Sequence, residues 1–197
     1  MANCQKLVVN GGRRLEGELR VHGAKNSALP LLAACVLAHG ECVLHNCPEL
    51  TDVDAACRIL SCLGCRCTRS GDTVCVDASN VCGNEIPDNL MREMRSSIVF
   101  LGAVLGRTRH CKLTFPGGCE LGARPIDLHL AALRDMGVTI SEEHGWLECT
   151  AAGGIRGGSV TLSFPSVGAT ENIMLAAVTA SGRTEIHNAA YMTLAEG

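Results

Sequence analysis

The segment of this 197-residue chain richest in reactive groups is Pro116-Gly-Gly-Cys-Glu-Leu-Gly-Ala-Arg-Pro-Ile-Asp127. Its glycines permit backbone angles and close approaches that a Cβ would block. Cys119 stands among them, with Arg124 further along the same loop. A nearby guanidinium favours thiolate, the nucleophilic form of cysteine. In a chain with 13 cysteines a lone thiol is incidental. The Gly-Gly-Cys and Gly-Ala-Arg-Pro context makes this one a candidate for chemistry.

Lys25 is the second candidate. His22-Gly-Ala-Lys-Asn-Ser27 precedes an apolar helical run, so Lys25 and Asn26 stand at a helix N-terminus. Free backbone N–H groups and the helix dipole favour anions there. A solvated lysine beside a capping Asn fits the same spacing equally well. Arg95 holds the matching place before a second such helix, and Ser166-Val-Gly-Ala-Thr170 precedes a third. Three such starts, related by a repeat, would converge at one end of the fold.

A metal reading is weaker. Cys62-Leu-Gly-Cys65 has zinc-knuckle spacing, with Cys67, Cys75 and Cys82 downstream. Yet Cys62 ends an amphipathic helix, Cys65 and Cys67 alternate like strand residues, and Cys35, Cys42, Cys57 and Cys149 take places suited to small hydrophobes. The seven histidines show no ligand spacing, and no metal site is expected.

Composition narrows the partners. Net charge is -3 and aromatics are 3%, which speaks against a nucleic-acid surface. Lys occurs only at Lys6, Lys25 and Lys112, and Arg supplies the other 14 of the 17 cations. Guanidinium suits planar, bidentate capture of phosphate and carboxylate, although codon bias gives the same excess. The longest apolar run, Ala28 to Ala38, contains Pro30 and is too short to span a bilayer. The N-terminal residues lack a signal-peptide core, so a cytoplasmic location with reduced thiols is expected.

The elements that must position these residues repeat. Asn26 to Asn46, Ser96 to Pro116 and Thr170 to Asn188 each open on a small polar residue able to cap a helix. Each continues through about three turns of Ala, Leu, Val and Ile to a Gly-bearing break and a short strand. Their starts lie roughly 70 residues apart, which reads as an internal repeat. Val53 to Gly64 aligns without gaps on Ile126 to Gly137 as an amphipathic second helix closed by glycine. The first helices are apolar on all sides and must be enclosed. The strands alternate and present one face to water. Buried helices ringed by sheets about a pseudo-axis are therefore expected, with the third repeat incomplete at Gly197.

Gly23-Ala-Lys-Asn-Ser-Ala-Leu-Pro, Met94-Arg-Ser-Ser-Ile, the Pro116 to Asp127 loop with Leu128 and His129, and Pro165-Ser-Val-Gly-Ala-Thr-Glu-Asn-Ile-Met together resemble the UDP-N-acetylglucosamine 1-carboxyvinyltransferases, a family of enolpyruvyl transferases. The resemblance runs in order from near residue 5 to about residue 190. It implies an α/β fold, an inside-out α/β barrel built of βαβαββ units. It places strands in residues 1–22 that pack with a second domain, and a first domain, its third unit incomplete, over residues 23–197.

The resemblance also implies transfer of the enolpyruvyl group of phosphoenolpyruvate to the 3-hydroxyl of UDP-N-acetylglucosamine, the first committed step of peptidoglycan synthesis. Cys119 would be the proton donor and the target of the epoxide fosfomycin. Lys25, Asn26 and Arg124 would bind phosphoenolpyruvate. Arg95, Arg124, Pro125, Ile126, Asp127, Leu128, Ser166, Val167 and Gly168 would line the nucleotide-sugar site. No metal or organic cofactor is implied. A catalytic Asp and further arginines belong to the second domain, so this chain alone is expected to be an inactive or weakly active fragment that needs that domain or self-associates. The alternatives are a non-catalytic nucleotide-sugar or protein-binding module and the shikimate-pathway enolpyruvyl transferase, which does not use a loop cysteine this way.

Overall fold

A computed structural model describes residues 7–116 and 126–191. The sequence repeat becomes a structural one. The middle unit contains every part: β4 (Glu85–Ile86), a short α3 (Asp88–Glu93), α4 (Phe100–Thr108) entered through a 3-10 turn at Ser97–Val99, β5 (His110–Thr114), α5 (Asp127–Asp135), β6 (Thr139–Glu143) and β7 (Trp146–Thr150). Setting α3 aside, that is a βαβαββ unit. The first unit matches it with α1 (Lys25–Cys35), β1 (Glu41–Leu44), α2 (Thr51–Cys62), β2 (Arg66–Ser70) and β3 (Thr73–Asp77). The third supplies β8 (Ser159–Thr161), α6 (Val167–Ala177) and β9 (Glu185–His187).

Sheet order repeats as well. The middle sheet runs β4-β5-β7-β6, with β4 parallel to β5 and the other pairs antiparallel. The first sheet, β1-β3-β2, keeps the antiparallel part, and β8 with β9 keeps the parallel part. Both second helices end as their glycines dictate. Gly64 (φ 96°) and Gly137 (φ 86°) take the left-handed conformation. The next N–H folds back onto the final turn, Cys65 to the Leu60 carbonyl and Val138 to that of Leu133, 3.0 Å each.

The core runs through all three units. Every residue of α4 from Phe100 to Leu105 is buried. The helix packs between α1 and α6 and carries Phe100, Leu101 and Leu105 fully enclosed. Burying such a side chain contributes about 1.5–3 kcal/mol, so this helix anchors the fold. The expectation of complete enclosure holds for α4 and fails in part for its neighbours: Leu31 of α1 and Met174 of α6 are each about half exposed.

One local expectation is corrected. Among the described residues, a polar side-chain cap forms only at Ser166, whose Oγ accepts from the Ala169 N–H, and Thr170 lies inside α6. α1 is capped at Ala24, and the 3-10 turn at Ser96, without a side-chain bond, because Asn26 falls inside the first turn rather than before it. Among the described residues, 7–22 form no strand, and Leu7, Val9, Leu15 and Leu19 lie exposed with no sheet beside them.

Candidate functional site

The starts of the three apolar helices meet. Lys25 and Asn26 from α1, Arg95 and Ser96 before the 3-10 turn, and Ser166, Val167 and Gly168 at α6 line one cleft of about 670 Å³. Pro30, Pro116, Ile126 and His129 also line its walls, with Asp52, Glu93 and Glu171. Of the residues singled out from sequence, Lys25, Asn26, Arg95, Ile126, Ser166, Val167 and Gly168 are brought together here. Asp127, exposed, and Leu128, packed against the core, do not line the cleft. Cys119, Arg124 and Pro125 lie outside the described residues.

The cleft favours anions at its backbone and is balanced in side-chain charge. Among the described residues, no protein group accepts from the N–H groups of Lys25 and Asn26 or of Val167 and Gly168. Such orphan donors carry the positive end of each helix dipole. Lys25 Nζ holds Asp52 Oδ2 at 2.8 Å, and Glu93 is paired with Arg58. Arg95 makes no ion pair among the described residues.

Glu171, His129 and Asn172 are functional candidates that the sequence patterns did not single out. Burial raises the Glu171 carboxyl from 4.5 to about 7. The folded chain then holds a proton that the unfolded chain gives up between those values. The stabilising contribution of this group is complete below pH 4.5 and is lost as pH rises to 7. Glu171→Gln is therefore expected to raise the melting temperature more at about pH 8 than at about pH 5. An equal effect at both, in melts followed by circular dichroism, would place the carboxylate in water.

His129 shows the opposite shift. It is 7% exposed, and burial lowers its imidazole from 6.5 to about 4. Its Nδ1 lies 2.9 Å from Nδ2 of Asn172, which is wholly buried. The same Asn172 amide donates to the Ile98 carbonyl at 2.8 Å and accepts from the Gly102 N–H at 2.5 Å. One side chain thus ties α6 to the 3-10 turn, α4 and α5. Polar residues at core positions of otherwise apolar helices, as in Glu171-Asn172-Ile-Met174, were the available signal.

Comparison with known proteins places this geometry among relatives. The family model described as EPSP synthase (3-phosphoshikimate 1-carboxyvinyltransferase) matches residues 9–195. A UDP-N-acetylglucosamine 1-carboxyvinyltransferase 2 of Caldanaerobacter subterraneus subsp. tengcongensis is 54% identical over 185 residues, covering 94% of this chain and 44% of that protein. A UDP-N-acetylglucosamine 1-carboxyvinyltransferase 1 of Symbiobacterium thermophilum is 47% identical over 191 residues, covering 94% and 43%. The chain therefore spans less than half the length of these relatives. Among solved structures, the enolpyruvyl transferase NikO from Streptomyces tendae superposes with a TM-score of 0.76 at 24% identity, covering 89% of this chain and 41% of that one. EPSP synthase from Acinetobacter baumannii gives 0.67 at 18%, covering 91% and 42%. These likenesses agree with an α/β fold in which helices pack inside a ring of sheets.

Proposed function

The chain belongs to the EPSP synthase (3-phosphoshikimate 1-carboxyvinyltransferase) family, and from that premise we propose that its cleft serves enolpyruvyl transfer from phosphoenolpyruvate to the 3-hydroxyl of UDP-N-acetylglucosamine. The observation that carries this reading is the convergence of three helix starts, with Lys25 and Arg95, on one cleft. The acceptor is chosen by likeness: relatives 41–54% identical over 94% of the chain are named for UDP-N-acetylglucosamine.

In the addition step, the 3-hydroxyl oxygen gives its proton to a base and attacks C2 of phosphoenolpyruvate, while the Cys119 thiol protonates the C3 methylene and is left as thiolate. In the elimination, the bond from C2 to the phosphate oxygen breaks, the C3 proton leaves to a base, and phosphate departs. Lys25, Asn26 and Arg124 hold the phosphoenolpyruvate. Arg95, Arg124, Pro125, Ile126 and Ser166 to Gly168 bind the nucleotide sugar, together with Asp127 and Leu128 of α5. Positioned cations and backbone donors stabilise the developing phosphate charge. The base falls to the length that the relatives have beyond the matched part. The setting is peptidoglycan synthesis in the cytoplasm. The free thiols among the described residues fit that setting, and among those residues no helix is long and apolar enough to cross a membrane.

Two experiments test the reading. Calorimetric titration should show UDP-N-acetylglucosamine binding and shikimate 3-phosphate failing to bind; the reverse preference would assign the shikimate reaction. Limited alkylation with fosfomycin should label Cys119 before the other thiols, faster with the nucleotide sugar present. Burial pushes Cys35 up to about 12, and Cys65 and Cys149 up to about 11, so these are poor nucleophiles. Equal labelling across the peptide map would remove Cys119 from the mechanism.

A further inference from the structure

The Asn172 amide is held in one orientation by two backbone groups that cannot exchange roles. The Gly102 N–H can only donate, so the atom 2.5 Å from it is the amide oxygen. The Ile98 carbonyl can only accept, so the atom 2.8 Å from it is the amide nitrogen. That nitrogen also faces His129 Nδ1 at 2.9 Å and has only protons to offer. Nδ1 must therefore accept, and a neutral imidazole that accepts at Nδ1 carries its proton on Nε2.

The Cε1–Nε2 edge of the ring faces Gly168, which lines the cleft together with His129. His129 lines the cleft, and a Cβ built on Gly168 would meet His129 Cε1 at 3.2 Å and Nε2 at 3.5 Å. The imidazole edge thus runs beside the first turn of α6, where the Val167 and Gly168 N–H groups are free among the described residues. No described group pairs with Nε2, although the residue is 93% buried by the complement of its 7% exposure.

We infer that Asn172 fixes His129 as an uncharged donor whose Nε2–H binds an anionic oxygen of the ligand, together with the α6 backbone. Asn172 is a positioning residue and His129 a binding residue. A second proton on Nδ1 would confront the Asn172 NH2 group, so the donor keeps one state throughout the neutral range. An uncharged donor adds a directed hydrogen bond without adding to the charge of a cleft already holding Lys25 and Arg95. The inference deepens the proposed function, whose phosphate-bearing substrates supply such oxygens.

The test labels the 197-residue chain with ¹⁵N-histidine. Its imidazole nitrogens are read by two-bond ¹H–¹⁵N correlation at neutral pH, alone and with inorganic phosphate, phosphoenolpyruvate or UDP-N-acetylglucosamine. The free protein should show His129 protonated on Nε2 alone. Asn172→Asp, which keeps the acceptor for Gly102 but loses the donor, should move the proton to Nδ1. A merely structural Asn172 would leave the tautomer unchanged. Ligand should shift the Nε2–H signal, and His129→Leu should weaken that ligand about ten-fold or more, with His129→Gln recovering part. The wild-type titration decides the matter if His129→Leu does not fold. A wild-type proton on Nδ1, or no Nε2 shift with any of the three anions, overturns the inference. So does calorimetric binding of UDP-N-acetylglucosamine that leaves the Nε2 signal unmoved. A shift with phosphate, where the nucleotide sugar does not bind, supports the donor and instead removes the proposed acceptor substrate.

Discussion

Lys25→Ala is expected to weaken phosphoenolpyruvate binding by about one to two decades, or ~1.5–3 kcal/mol, the usual cost of losing a charge-assisted contact to phosphate. Its surroundings act in the same direction. Lys25 and Asp52 are paired at 2.8 Å and both line the cleft, so removing the ammonium leaves a carboxylate facing the incoming anion. The double variant Lys25→Ala with Asp52→Asn should therefore bind better than Lys25→Ala alone, the signature of coupled neighbours. Calorimetry on the four members of this cycle measures both effects. Unchanged affinity in Lys25→Ala would make the lysine a surface partner of Asp52 and nothing more.

Gly102→Ala is expected to damage the fold and the site together. A Cβ at this position would lie 2.2 Å from the Asn172 backbone oxygen and 2.6 Å from its side-chain oxygen. Backbone cannot rotate aside as a side chain can, so α4 and α6 must separate. Overpacking of this kind costs about 1–3 kcal/mol or more, against a total stability of about 5–15 kcal/mol. At about 2–4 °C per kcal/mol for a chain of this size, the melting temperature should fall by about 6–12 °C for a 3 kcal/mol loss. The separation also pulls Asn172 from Ile98 and His129, so ligand affinity should fall with stability. Gly153→Ala is the control, since nothing lies within 4 Å of its added Cβ; its change should stay within about 0.5 kcal/mol. Equal melting of the two variants would mean that the helices are less closely packed at Gly102.

What the sequence made legible was local or repeated. Val53 to Gly64 and Ile126 to Gly137 share a pattern because each is an amphipathic helix ended by a left-handed glycine, and both do end so. The run from Phe100 to Leu105, apolar on every side, announced a helix enclosed by others. Lys25, Arg95 and Ser166 were found because their places before the three helices coincide in the repeat. His129 and Asn172 escaped because burial and pairing of a polar side chain are tertiary facts. The hydrogen bonds of Asn172 reach residues 43, 70 and 74 positions away. Gly102 escaped for the same reason: its lack of a side chain matters only because Asn172 lies against it. The caps were misjudged because several small polar residues cluster at each helix start, and pattern alone does not say which one leads the first turn.

The most direct measurement is a crystal structure of this chain with UDP-N-acetylglucosamine. The account predicts the nucleotide sugar in the cleft between the starts of α1, the 3-10 turn and α6, with its diphosphate within hydrogen-bonding distance of the Val167 or Gly168 N–H groups and its charge facing Arg95. Density on any other face, or a cleft that stays empty at ligand concentrations shown by calorimetry to saturate the chain, would contradict it.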